Sequence, residues 1–222
     1  MDKRKKITLS DVAAELNISS TVVSMVLNGR AKKYRISEAV EQNVRRKAKE
    51  MGYQPNSLAQ GLRTGKTRTI GLILGDVSNP FFSKIASCVE KEAARYNYQV
   101  MFASSDESSE KFERAAQMFL SKQVDGLIVA PTENSEKIIM DIVKNRKPVV
   151  LIDRIVKEVP VDYVQIDNKD ATYRLANLII DQGFKKIAYM TVTHTLSNFQ
   201  ERYLGFKQAL DEHNIPFDSS LF

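Results

Sequence analysis

Residues Thr8 to Asn28, TLSDVAAELNISSTVVSMVLN, decide how this chain is read. Thr8 can cap a first helix, with Asp11 three positions on to complete a capping box and Ile7 placed to staple against Val12. Leu9, Val12, Ala13 and Leu16 then recur at helical spacing. Asn17 follows where a tight turn needs a left-handed residue, which asparagine tolerates best after glycine. Ser19 can cap a second helix whose apolar stripe is Val22, Val23, Val26 and Leu27. The opposite side carries Ser20, Thr21, Ser24, Met25 and Asn28, small polar residues with one flexible apolar one, able to lie close to base edges and phosphates. This is the pattern of a helix-turn-helix, and it predicts a face directed at the major groove of DNA.

Charge points the same way. Residues 1–66 hold 14 Lys and Arg against 6 Asp and Glu, a net of +8, whereas residues 67–222 hold 19 against 21, a net of −2. The excess cations form clusters, Lys3 to Lys6, Arg30 to Arg35 and Arg45 to Lys49, placed to neutralise phosphates around a helix in the groove. A third helix is expected from Ser37 to Met51, stopped at Gly52, with Val40, Val44, Ala48 and Met51 buried.

Next comes YQPNSLAQGLRTGKT, residues 53–67, in which Pro55 can start a helix of two turns ending near Arg63. So short a helix is not stable alone in water, so a partner must hold it. Its end, GLRTGKT, imitates a phosphate-binding loop but fails the test. Only three residues separate Gly61 from Gly65, Gln60 stands at the preceding position, and the stretch precedes a strand instead of following one.

From Thr69 onward short apolar runs alternate with amphipathic helices: TIGLIL, then 82–96, QVMFA, 109–122, GLIVA, 135–145 and VVLI. A second set is expected from YVQI, with a helix over 168–182, the strand KIAYM and a helix over 197–214. That alternation predicts doubly wound parallel sheets in two consecutive lobes, whose ligands sit beyond the carboxyl ends of the strands. Polar residues collect there. Asp76, Ser78 and Asn79 follow the first strand beside Phe81 and Phe82, Asp153 and Arg154 follow VVLI, and Arg202 lies in ERYLGF. A carboxylate, an amide and a guanidinium beside aromatic walls suit a polyhydroxylated or anionic small molecule. Asn79-Pro80 can equally form a turn that caps the next helix, and Asp153 can pair with Arg154.

The run from Ile7 to Asn28, the YQPNSLAQGLRTGKT segment, TIGLILGDVSNPFF, VDGLIV, PVVLIDR and ERYLGF together resemble the LacI/GalR family of transcriptional regulators over nearly the whole chain. The resemblance implies an all-α helix-turn-helix headpiece (1–54), a hinge helix and linker (55–66), and periplasmic-binding-protein-like (type I) α/β lobes over 67–160 and 161–222, the second incomplete. It implies a dimer that binds a pseudo-palindromic DNA operator and is controlled by a small-molecule effector, a sugar or its derivative. The residues matching Ser20, Thr21 and Met25 would face base edges, and those matching Ser24 and Asn28 the DNA backbone. Leu62 would wedge between base pairs in the minor groove, with Ala59 packed nearby. Asp153 and Arg202 would contact effector, with Asn79 and Phe81 lining the same cleft and Asp76 beside them.

Two departures matter. Met25 stands where many members carry an arginine that grips guanine, and methionine offers only apolar contact, as to a thymine methyl. Ser20 is also small, which shifts preference toward the hinge and DNA deformability. The family normally runs on for about another hundred residues, so the chain is read as a fragment lacking half the cleft and much of the dimer contact.

No other chemistry is expected. Cys88, the one cysteine, is read as a small core residue. His194 and His213 lack metal-ligand spacing and are read as surface histidines. No catalytic residue, metal, cofactor, membrane span or signal peptide is read, so the bacterial cytoplasm is the expected compartment. A soluble sugar-binding protein with an incidental basic N-terminus is the competing reading. An enzyme is a third, but nothing pairs a nucleophile with a base.

Overall fold

The computed structural model describes residues 7–54, 61, 65–192 and 195–217. The chain divides into two compact units, 1–60 and 61–222.

In the first unit, α1 (Leu9–Glu15) opens on the expected capping box: the Thr8 hydroxyl accepts from Asp11 N at 3.3 Å while Thr8 N donates to the Asp11 carboxylate at 2.8 Å. Asn17 adopts φ 51°, the left-handed turn residue the sequence demands. Ser19 then caps α2 (Ser20–Leu27), accepting from Val22 N at 3.3 Å. A short 3₁₀ turn, Lys32–Tyr34, closed by Arg35 at φ 53°, precedes α3 (Glu38–Glu50), which Ser37 caps. Val12, Val23, Val26 and Val44 are at most 1% exposed and, with Ala13, Ala31 and Ala48, fill one small core. Helices of seven and eight residues do not persist alone, so this shared core holds α1 and α2. Burying each valine is worth about 1.5–3 kcal/mol.

The second unit is built on a five-stranded parallel sheet of order β2-β1-β3-β4-β5. Its strands are β1 (Thr69–Leu74), β2 (Gln99–Ser104), β3 (Gly126–Val129), β4 (Val149–Ile152) and β5 (Asp162–Val164). The intervening helices are α4 (Pro80–Arg95), α5 (Ser109–Ser121) and α6 (Glu136–Lys144). Alternation along β1 divides the core. Leu72 and Leu74 pack with Phe82 of α4, while Ile73 joins Phe112, Phe119, Ile139 and Ile142 of α5 and α6 on the other face. Gly71 has no room for a side chain, because a Cβ would overlap Phe119 and Leu127. The strand order is that of a doubly wound sheet with its switch point between β1 and β3.

Two strands depart from expectation. YVQI, read as the start of a second set, gives Tyr163 and Val164 to β5 instead, which pairs in parallel with β4 and is the fifth strand of the same sheet. KIAYM forms no strand. It finds no backbone ladder among the described residues and packs by side chains, Tyr189 stacking on Phe206 with ring centroids 4.8 Å apart. α7 (Asn168–Asp181) and α8 (Ser197–Glu212) pair closely around Ala176, Phe206, Ala209 and Leu210. Gly205 of ERYLGF allows this approach, since a Cβ there would collide with the Lys169 backbone.

At the amino ends of the strands, Asp125 fixes the start of β1. Its carboxylate accepts from Thr67 N at 2.7 Å and Arg68 N at 3.1 Å. Burial would raise the acid's pKa, but these bonds and those from the Thr67 and Tyr98 hydroxyls hold it below its ordinary value. Cys88 is exposed on α4, not in the core: the buried stripe there runs through Phe82, Ile85, Ala86, Val89 and Ala93.

Candidate DNA-reading helix and candidate ligand crevice

On α2, Ser20 and Thr21 are exposed, whereas Ser24, Met25 and Asn28 are half-buried. Ser24 and Asn28 hold one another: the Asn28 amide donates to Ser24 O at 2.6 Å and to Ser24 Oγ at 3.2 Å, closing the C-terminal turn. Ala59, Leu62 and Lys3 to Lys6 lie outside the described residues.

The basic clusters separate into two kinds. Arg45 is bonded to Glu41, Arg46 to Glu50, and Lys47 to Glu15, so most of the Arg45 to Lys49 charge is spent inside the fold. Arg30, Lys32, Lys33 and Arg35 are exposed and make no ion pair among the described residues. The phosphate-neutralising charge expected of the third helix therefore contracts toward the turn after α2.

At the carboxyl ends of the strands, Asp76 accepts from Ser78 N at 2.8 Å and Ser78 Oγ at 2.7 Å. Asn79 caps α4, its Oδ1 accepting from Phe81 N at 2.9 Å. The oxygen is thereby committed to the helix and the amide nitrogen is the group left for a ligand. Phe81 is 47% exposed and meets buried Phe82 edge to face at 5.1 Å, so Phe81 forms an outer wall and Phe82 belongs to the core.

Asp153 sits at φ 66° after β4, a left-handed conformation in which aspartate is enriched and which recurs at binding sites. Its Oδ2 accepts from the Asn198 amide at 3.2 Å and lies 3.3 Å from Arg154 Nε. Burial pushes the Asp153 carboxyl up, against the pull of the Arg154 and Arg202 guanidiniums and the Asn198 hydrogen bond. A carboxylate whose titration is displaced by burial, with specific charged partners beside it, is a recurrent mark of a binding site. Arg202 donates through Nε to Asn168 Oδ1 at 2.8 Å, and its guanidinium lies 5.7 Å from the Phe199 ring. Its two terminal nitrogens have no protein acceptor among the described residues, leaving a fork for a ligand oxygen pair.

Arg154 itself is structural. Only 5% of its side chain is exposed; it grips Glu107 with both terminal nitrogens at 2.6 and 2.7 Å and donates to Pro131 O at 2.9 Å. It ties together the loops after β2, β3 and β4. Gly75 is required beside this pair, because a Cβ would strike Glu107 and Phe82. The start of α8 is latched to the same strand ends, with Thr195 N donating to Glu133 at 2.7 Å and Ile155 N to Ser197 Oγ at 2.9 Å.

Asp153 and Arg202 thus face one another's field on adjoining elements, while Asp76 and Asn79 stand on the loop after β1 and Phe81 in the first turn of α4, at the same carboxyl edge of the sheet. Two surface hollows, of about 500 and 300 Å³, lie elsewhere and contain none of these five residues. Sequence reading missed Asn168, Asn198 and Glu107. The signal for Asn168 was its place beside a capping Asp167, but nothing local shows that a polar residue there is fully buried. Among the described residues, no three His, Cys, Asp or Glu side chains gather as a metal site, and no helix is long and apolar enough to cross a membrane. His213 is exposed and meets the Asn177 side chain at 2.7 Å, and His194 lies outside the described residues.

Comparison with known proteins adds an independent result. Residues 8–56 match the family described as bacterial regulatory proteins, lacI family, and residues 67–221 match periplasmic binding proteins and sugar binding domain of LacI family. The chain is 32% identical over 215 residues to the catabolite control protein A of Priestia megaterium, covering 96% of this chain and 64% of that protein. It therefore spans about two thirds of that relative's length. A Pseudomonas putida Cra transcriptional dual regulator, solved in complex with fructose 1-phosphate, is 31% identical with a TM-score of 0.62, over 65% of this chain and 54% of that one. The lac repressor dimer bound to operator and the anti-inducer ONPF superposes with a TM-score of 0.83 at 21% identity, over 96% of this chain and 64% of that one, a likeness of fold.

Proposed function

The chain belongs to the LacI family of bacterial regulatory proteins, and from that premise we propose that the whole protein is a sequence-specific, DNA-binding transcriptional repressor controlled by a small-molecule effector. It is not an enzyme, and it acts in the cytoplasm. It binds a pseudo-palindromic operator as a homodimer, each copy placing α2 in one major-groove half-site. Ser20, Thr21 and Met25 read base edges. Ser24 and Asn28 approach the phosphates, while Arg30, Lys32, Lys33 and Arg35 supply the sequence-independent attraction. Ala59 and Leu62, in the linker, enter the minor groove, with Leu62 as the wedge.

The single observation that carries this reading is the exposed Ser20 and Thr21 pair on a helix fixed by a complete core, beside four cations with no internal ion pair among the described residues. The effector is a sugar or sugar derivative. Asp76 and Asp153 accept from its hydroxyls, the Asn79 amide and the Arg202 fork donate to its oxygens, and Phe81 covers an apolar face. Asn168 sets the direction of that fork. Effector binding would shift the lobes and change the spacing of the two linkers; effector and operator then alter each other's affinity by the same factor.

The test starts with selection of bound duplex from a random pool by the full chain. Leu62→Ala will weaken binding to the selected duplex about tenfold or more, and leave binding to a random duplex within about twofold, as expected for loss of an intercalated apolar wedge worth a few kcal/mol. Equal losses on both duplexes would remove the wedge from the account, and failure to select any duplex would remove DNA reading altogether.

A further inference from the structure

Arg45 lies in a basic run that invites the role of a phosphate contact, and 48% of its side chain is exposed. Its bonds say otherwise. Arg45 Nη2 donates to Val26 O, in the last turn of α2, at 3.1 Å. Its Nε and Nη2 both donate to Glu41 Oε1, at 3.0 and 2.8 Å, one turn earlier on α3. Val26 O is among the carbonyls that a helix leaves without an i+4 N–H donor at its C-terminus, and it also accepts from Gly29 N at 3.1 Å. A cation there also complements the negative end of the helix dipole. The last turn of α2 carries Met25 and is capped by Asn28, two residues assigned to the DNA face.

Resting on the DNA-binding reading above, we propose that Arg45 is a positioning residue for the reading helix: the guanidinium, aimed by Glu41, caps the Val26 carbonyl and fixes the rotation and C-terminal turn of α2 against α3. The Glu41 pair alone, exposed and at i,i+4 spacing, contributes little to stability. Its work is geometric. It consumes two of the donors and leaves the guanidinium plane pointing at one backbone oxygen. Arginine is needed because a planar fork serves both acceptors at once, whereas an ammonium on a flexible stem has no fixed direction.

The experiment uses the full chain with Arg45→Met, Arg45→Lys and Glu41→Gln, and Lys33→Ala for comparison. The DNA probes are a duplex recovered from a random pool by the wild-type chain and a random-sequence duplex of equal length. Arg45→Met is expected to weaken the selected duplex about tenfold, the effect of losing one charge-assisted hydrogen bond, with the random duplex and the salt slope unchanged. Lys33→Ala should weaken both duplexes and lower the salt slope by about one. Arg45→Lys should restore only part of the loss, because it keeps the charge and loses the fork. Without DNA, the Asn28, Gly29 and Arg30 amides should exchange faster in Arg45→Met while the Leu16 and Ile18 amides do not change.

Equal weakening of both duplexes with a slope lowered by one, or full rescue by lysine, would make Arg45 a phosphate contact and overturn the proposal. Unchanged exchange at Asn28 to Arg30 would overturn it as well. If Arg45→Met unfolds the headpiece, Glu41→Gln takes its place: it keeps the cation and loosens its aim, so a selective loss on the recovered duplex supports the proposal and no loss contradicts it. Should the wild-type chain recover no duplex, the DNA-binding reading fails, and amide exchange alone still decides whether Arg45 holds α2.

Discussion

Removal of residues 1–66 will abolish the preference of this chain for any DNA sequence while leaving the α/β unit folded. The deleted part carries a net charge of +8 and the remainder −2, so the cut removes the cations that attract phosphates along with the helix that reads bases. Specific affinity commonly exceeds non-specific affinity by about 10³-fold or more, and that whole margin is expected to vanish. The cut falls before Thr67, so the hydrogen bonds from Thr67 and Arg68 to Asp125 that start β1 survive. The buried clusters on both faces of the sheet are likewise untouched. Binding to the selected duplex, followed together with circular dichroism, checks both halves of the expectation. Retained sequence preference would place DNA reading in the α/β unit and contradict the proposed function.

Glu107→Ala will destabilise the α/β unit by about 2–3 kcal/mol, and Arg154→Met by about 1 kcal/mol or less, although both break the same ion pair. The asymmetry follows from burial. The Arg154 side chain is 5% exposed and that of Glu107 35%. Without Glu107 a buried guanidinium keeps only Pro131 O and the neighbouring Asp153. Without Arg154 the Glu107 carboxylate can be hydrated, the buried Asp153 keeps its hydrogen bond from the Asn198 amide, and methionine fills the vacated volume beside Phe82, over which the guanidinium now lies at 5.8 Å. Urea unfolding followed by far-ultraviolet circular dichroism measures both. The reverse order would show that Arg154 does not anchor the loops around the crevice.

Local rules were legible in the sequence wherever a few consecutive residues decide the structure. Thr8 with Asp11, Asn17, Ser19 and Ser37 announced the starts and turns of the headpiece because capping chemistry acts over three or four residues. The strands of the sheet were visible as apolar runs. Membership of β5 was not, since three exposed residues carry no burial signal and join the sheet through backbone bonds to β4. Cys88 was misplaced by treating a small apolar residue as core by type; it falls roughly 200° around α4 from Ala86, on the exposed side. Counting charge along Arg45 to Lys49 overlooked Glu15, Glu41 and Glu50, which fold back onto those cations. In the crevice, the side-chain types at Asp153 and Arg202 were suggestive. Their partners Asn198 and Asn168 lie 45 and 34 residues away in sequence, separations at which no spacing rule operates.

Those partners give the crevice its proposed part in regulation. Asp153 and Arg202 are held by side chains on different elements, Asn198 on α8 and Asn168 at the start of α7. A ligand that takes up both groups would therefore bear on how α7 and α8 sit against the sheet. The most direct measurement is a titration of the selected operator with the full-length protein in the presence and absence of each member of a sugar panel, combined with sugar binding measured with and without operator. The account predicts that at least one sugar changes operator affinity by about 5-fold to 150-fold, and that operator changes the affinity for that sugar by the same factor. A sugar that binds the protein with full affinity and leaves operator binding unchanged, with no other panel member altering it, would contradict the claim that this is a ligand-controlled DNA switch.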